Sequence, residues 1–339
     1  MMTACEQDET VELPLVPTEG YIYFNTEVSS RGELVTEMTG KNFGVMGYEY
    51  SGDWNTVKVQ AKPELFHAQT IAWNDTSGVH EYKPLKAWTP GNKYTFFGYY
   101  PTTGVTPSGS TVEGVPYLTY TLPDSPADMK DVMTATLYDT DNSASNAVGL
   151  TFQHRLVAMN VQARNFNTPY NNKPVYVQLS NVSITYTNLK YNQVTLPMDA
   201  SLPITRTEAN NKTKTYTILN ETLTIPPPNT QTGEAEAVEL SSEQNTTLIL
   251  IPQEGTDEEN DYLKGKVSFT FSYVDANGNT LNIADAASPG TREMAFDLGK
   301  SIVAGRKYAL LMNFSRTSVT IAIVESGEWT DQNIDIEFE

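Results

Sequence analysis

The sequence predicts an all-β protein. Short apolar segments alternate with polar residues at period two and are bounded by Gly, Pro, Asn and Ser. Thr, Tyr and Val are used heavily, with 19 tyrosines in 339 residues, and such side chains suit a pleated, half-buried surface. Long helical periodicity is almost absent. Many short strands with closely spaced turn signals imply β-sandwiches.

Taken in order, the first predicted strand is Tyr21 to Val28, where Ile22, Phe24 and Val28 share one face. Phe43 to Tyr50 follows. Tyr94 to Tyr100 is an aromatic run that could stack on sugars, but a buried strand covered on both faces explains it more simply. Tyr117 to Thr121 comes next, then a short helical turn near Pro126 to Met133. Asp139 to Asn146 is polar and turn-rich and reads as a linker, after which one long strand is predicted from Leu150 to Ala163. These limits predict a flexible acidic N-terminus over 1–19, a first β-sandwich over 20–148 and a second over 149–339. In the second, strands are predicted at Val175 to Leu179, Val182 to Tyr186, Thr215 to Leu219, Thr246 to Ile251, Lys266 to Val274, Lys307 to Phe314 and Val319 to Glu325. A helical turn is expected near Asn282 to Ala287. At the C-terminal end Ile334, Ile336 and Phe338 alternate with Asp335, Glu337 and Glu339. This amphipathic strand is either the last strand of the second domain or one that pairs with a neighbouring subunit, since only one of its ends is tethered.

Composition excludes several function classes. The formal net charge is −19, from 41 acidic and 22 basic residues. Nucleic acid and anionic lipid both demand clustered Lys and Arg, so neither is an expected partner. A single cysteine forbids an internal disulfide. No apolar run reaches the roughly 18 residues of a membrane-spanning helix. The three histidines, His67, His80 and His154, have no metal-ligand spacing, and period two puts His154 on the same face as Phe152 and Leu156, as expected of a hydrogen-bonded core or interface residue. Asp139-x-Asp141-x-Ser143 starts like a calcium loop but lacks its central Gly and closing Glu, so a solvated linker is preferred. No nucleophile, acid and base constellation is present, and no enzyme, metal or cofactor is expected.

The N-terminal region carries its own pattern. Cys5 follows Met2-Thr3-Ala4, a small residue before a lone cysteine, as a bacterial lipobox requires. Its thiol would take a diacylglycerol and the bond before it would be cut; the bland alternative is a disordered terminal cysteine. No apolar export core precedes Cys5, and two initial Met residues suggest a start inside a longer reading frame. Glu6-Gln7-Asp8-Glu9-Thr10 is an acidic spacer that cannot bury enough surface to fold. Arg31 is the first Lys or Arg of the chain, and the next is Lys41. A trypsin-like protease cutting at Arg31 would release the anchor and the first strand together.

Several segments carry a family resemblance. Leu150-Thr151-Phe152-Gln153-His154-Arg155-Leu156 resembles the Phe-x-His-x-Leu motif that opens the second domain of fimbrillin-like proteins of Bacteroidales. Tyr94 to Pro101 resembles the aromatic-Pro strand of their first domain, and Asp128 to Met133 their Asp-Leu-Met stretch. Gly305-Arg306-Lys307-Tyr308 and Trp329 resemble their closing pattern. The resemblance implies two tandem transthyretin-like β-sandwiches and an outer-membrane lipoprotein exposed at the surface. It also implies a type V pilus subunit for cell adhesion, matured by an Arg-specific protease. Under it Arg31 is the cleavage position, Ile22, Phe24 and Val28 mark the displaced strand, and Ile334, Ile336 and Phe338 mark the donor. Its partners would be other pilin subunits and a host or bacterial surface receptor. The mechanism is strand addition to an opened sheet. The alternatives are a tip or anchor subunit that does not polymerise, or a monomeric lipoprotein binding glycan or protein through exposed aromatics near Trp54, Trp73 or Trp88.

Overall fold

A computed structural model describes residues 20–28, 37–141, 147–240, 247–256 and 261–328. The first part of the chain forms β1 (Phe24–Val28), β2 (Phe43–Tyr50), a one-turn helix α1 (Trp54–Val57), β3 (Phe66–Asn74), β4 (Val79–Glu81), β5 (Lys93–Tyr100), β6 (Thr106–Pro107), β7 (Tyr117–Thr121), β8 (Met133–Thr140) and β9 (Val148–His154). A 3-10 turn at Pro126–Asp128 precedes β8. The remainder forms β10 (Val157–Asn165), β11 (Tyr176–Tyr186), β12 (Tyr191–Pro197), β13 (Thr205–Glu208), β14 (Lys214–Leu219), β15 (Leu223–Ile225), β16 (Val238–Glu239), β17 (Leu248–Leu250), β18 (Lys264–Val274), β19 (Gly290–Asp297), β20 (Arg306–Phe314) and β21 (Val319–Glu328).

Seven strands make one sheet in the order β1-β9-β8-β5-β2-β3-β4. Both of its faces are covered, because β2 and β5 are apolar at odd and even positions alike. Phe43, Val45 and Phe96 join one buried cluster, with Phe24, Leu150 and Phe152. Met46, Tyr48, Phe97 and Tyr99 join another on the opposite face. The strands approach closely where glycine leaves room. A Cβ at Gly98 would sit 3.0 Å from both Leu150 and Phe152, and one at Gly44 would sit 2.0 Å from the Tyr99 ring.

A second sheet, β13-β12-β7-β6, closes the Tyr48 face. Thr136 of β8 donates to the Met198 carbonyl beyond β12 at 2.9 Å. The remaining strands stack as two sheets, one of β16, β10, β20 and β21 with β17 also on β10, the other of β14, β11, β18 and β19 with β15 also on β11. Phe314 of the former meets Phe269 and Phe271 of the latter at 5.8 and 5.5 Å between ring centroids.

Two expectations are corrected. The single strand predicted from Leu150 to Ala163 is two strands in different sheets, β9 and β10, broken at Arg155-Leu156. Arg155 anchors the break: its N–H donates to the Val132 carbonyl, and its buried guanidinium bonds the Thr134 hydroxyl at 2.9 Å and the Pro197 carbonyl at 2.7 Å. The boundary expected at 148/149 therefore falls inside β9, which pairs with β8 and β1. The β12–β13 hairpin also crosses that boundary by pairing with β7. Conversely, the two strands predicted at Val175 to Leu179 and Val182 to Tyr186 are the single strand β11. Its ladder shifts register across Ser180 to Ser183, around Asn181 at φ 53°.

Candidate functional site: a peripheral first strand

β1 is an edge strand. It pairs on one side only, parallel to β9, from Phe24 opposite Val148 to Val28 opposite Phe152. Its alternation decides what it buries. Ile22 is wholly enclosed and Phe24 is 4% exposed, while Val28 packs partly against the same cluster. The ring of Phe24 lies edge-on to Phe96 at 5.5 Å, to Phe66 and Tyr82 at 6.0 Å, and to Phe43 at 6.2 Å. Such pairs add to the apolar burial of the ring itself.

The residues before β1 are held by the loop after β4. Ile22 N donates to the Lys86 carbonyl at 2.9 Å, and Trp88 N to the Gly20 carbonyl at 2.9 Å. The Tyr82 hydroxyl donates to the Ile22 carbonyl at 2.9 Å and the Trp88 indole N–H to the Tyr21 carbonyl at 3.0 Å. Burial pushes the Tyr82 phenol up to about 12, so it stays a donor at neutral pH. Tyr82 and Trp88 are part of the bed of the strand. Sequence reasoning missed the role of both, because each partner lies more than sixty positions upstream or at that distance.

The expected displaced-strand residues Ile22, Phe24 and Val28 are thus together on one face at a sheet edge. Cys5, Arg31, Ile334, Ile336 and Phe338 lie outside the described residues, as does Trp329. The other sequence candidates have structural partners. The His154 Nδ1 stands 2.8 Å from Asp131 Oδ1, both side chains buried. Asp139 Oδ1 accepts from the Trp54 N–H at 2.8 Å and the Tyr50 hydroxyl at 3.0 Å, so this carboxylate ties β8 to α1 instead of opening a cation loop. Trp54 is 3% exposed in the cluster on one face of the seven-stranded sheet. Trp88 packs edge-on to Tyr94 on the other face, and Trp73 lies against His80. These rings do not form a common platform. Among the described residues no group of three or more His, Cys, Asp or Glu could hold a metal ion, and no helix is long and apolar enough to cross a membrane.

Stacked β-sheets with a short, one-sided first strand seated in an aromatic bed define the class of this molecule. The chain belongs to the fimbrillin-like family, whose sequence profile matches residues 35–329. Its fold resembles that of a fimbrial protein from Bacteroides vulgatus, with TM-score 0.67 at 18% identity over 92% of this chain and 100% of that one. A candidate cell adhesion protein from Bacteroides uniformis is also similar, with TM-score 0.50 at 16% identity over 93% and 100% of the two chains. At these identities the likeness is one of fold. No curated protein sequence matches the chain significantly.

Proposed function

We propose that this chain is a fimbrial subunit for cell adhesion. It is exported as a lipoprotein through Cys5, displayed at the outer membrane surface, cut after Arg31 by an Arg-specific protease, and assembled by strand exchange. The observation that carries this reading is the seating of β1. Five residue pairs on one side hold it to the sheet, and its inward side chains fill an aromatic bed. Arg31 follows Val28 by three positions, so one cut severs β1 from β2. Loss of β1 would open the backbone groups of β9 on that edge and uncover Phe43, Phe66 and Phe96. Each large apolar side chain returned to water costs roughly 1.5–3 kcal/mol. An incoming strand offsets that cost and completes the ladder. While β1 is in place it fills the edge and withholds it from other chains.

The test is digestion of the purified chain with an Arg-specific protease, followed by intact mass and native sizing. A cut after Arg31, release of the N-terminal peptide and growth into SDS-resistant ladders is the expected result. An Arg31→Ala chain should fold and stay monomeric under the same treatment. A chain that is cut, loses the peptide and remains monomeric would sink the strand-exchange reading and leave a tip, anchor or stand-alone binding lipoprotein.

A further inference from the structure

A cavity of about 340 Å³ opens where segments far apart in sequence meet, among them the break between β9 and β10, the β12–β13 hairpin and the turn before β20. Its size is at the small end of the range for ligand pockets, roughly 300–1,000 Å³. Arg155 and Arg206 both line it. Arg155 is 4% exposed. Its bonds to the Thr134 hydroxyl and the Pro197 carbonyl come from one terminal nitrogen, and neither partner is charged. Asp199 is the carboxylate whose field reaches it, but the oxygens of Asp199 already accept from the Tyr138 hydroxyl and from Ser201. A guanidinium kept from water without a counter-charge is costly, and an anion in contact with it offsets that cost.

Arg206 is held by a ring and an exposed acid. Its guanidinium lies over Tyr191 at 5.6 Å from the ring centroid, and one terminal nitrogen donates to Glu254 Oε1 at 3.1 Å. The Glu254 side chain is 72% exposed, so water competes for that contact and a ligand can take it over. The Arg206 Nε is buried with no acceptor among the described residues. Beside the two arginines the walls are aliphatic. Ile302 is buried, while Leu202 and Val303 are 39% and 42% exposed, which places two large apolar side chains in solvent at one spot. No Phe, Tyr or Trp lines the cavity, so it has no flat ring to lay under a sugar. Glu254 is the one carboxylate in the lining, and the two arginines leave an excess of positive charge there, in a chain whose net charge is −19. A single negative charge balances that excess, whereas a phosphate dianion overshoots it. We propose that this cavity binds a small aliphatic monocarboxylate, its carboxylate held by Arg155 and Arg206 and its hydrocarbon body against Leu202, Ile302 and Val303. The bound acid would tie the β9–β10 break to the β12–β13 hairpin and to the turn before β20. The site does not rest on the strand-exchange reading.

The experiment titrates the purified full chain with hexanoate, read by calorimetry and by the thermal midpoint. Hexanoate should bind with a Kd of about 1 mM or lower and raise the midpoint as its concentration increases. Hexanamide keeps the body and lacks the charge; acetate keeps the charge and lacks the body. Each should bind at least about tenfold more weakly. Arg206→Gln, which removes a guanidinium, and Leu202→Asp, which sets a like charge at the exposed wall, should each weaken hexanoate at least about tenfold while the urea midpoint of the unliganded chain holds. Arg155 is left intact, because it anchors the break between β9 and β10. Hexanoate that does not bind, or that binds no better than hexanamide, would overturn the proposal. Glucuronate or inorganic phosphate binding as tightly as hexanoate would overturn the aliphatic class and put an acidic sugar or a phosphate in its place. Binding indifferent to both variants would move the carboxylate out of this cavity and overturn the site.

Discussion

At the scale of single residues, β1 depends most on Phe24. Its ring touches four others, so truncation leaves a hole that neighbours on several strands cannot close together. Phe24→Ala should destabilise the seating of β1 by about 3–5 kcal/mol. The change should appear in hydrogen exchange of the residue 20–28 amides of the uncut chain, while β10, β11 and β20 keep their protection. Uniform loss of protection throughout the chain would mean that β1 is no separable unit. The face carrying Ile22, Phe24 and Val28 was legible in the sequence, because alternation states which side chains go together. What they rest on was not legible. Tyr82 and Trp88 reach the strand through carbonyls of residues 21 and 22, and nothing local to Tyr82 or Trp88 signals such distant partners.

At the scale of elements, legibility followed the regularity of the ladder. β7 has the limits that alternation predicts, and β2 those of an apolar run bounded by turn residues. β3 was missed because Ala68 takes φ 50° and the register against β2 shifts across Val45 to Gly47. That shift puts the buried residues Phe66 and Ile71 five positions apart, an odd spacing that destroys the period-two signal. β9 and β10 merged in the reading because Arg155-Leu156 carries no Gly or Pro; the break comes from a buried arginine, which no turn rule describes. Asn181 is the opposite case, a left-handed residue inside one continuous strand. Asparagine tolerates that conformation and a β-branched residue does not, so Asn181→Val should cost roughly 1–2 kcal/mol in urea unfolding. An unchanged midpoint would mean that the bulge can move along β11. On the site itself, Thr26→Ile should give the resident strand an apolar side chain opposite Leu150. The variant should release its N-terminal fragment more slowly after the cut, as followed by native sizing. Release at the wild-type rate would show that burial opposite Leu150 does not govern exchange.

At the scale of the molecule, the two sandwiches share strands and core. One buried cluster runs from Met46 and Tyr48 through Leu156 and Val157 to Phe314, and β7 takes β12 as its neighbour. A fragment of residues 149–339 therefore lacks the partners of β9 and β12 and should not give a cooperative unfolding transition, whereas the full chain should unfold in one step. The shared core also sets the response to alkali. Burial pushes the phenols of Tyr50, Tyr82 and Tyr120 from 10.0 up to about 12. Between those values the unfolded chain has lost protons that the folded chain retains. The folded state then binds more protons, and stability falls as pH rises through the window. Below pH 10 the contribution is present in full. Burial also lowers Arg155, but a guanidinium keeps its proton across this range, so the tyrosines set the slope and it is negative. Urea midpoints should decline steadily across that range, with the phenolate absorbance of the buried tyrosines appearing only as the protein unfolds. Phenolate absorbance that reaches the full value of all 19 tyrosines while the far-UV signal of the sheets is intact would show that water reaches these rings in the folded state.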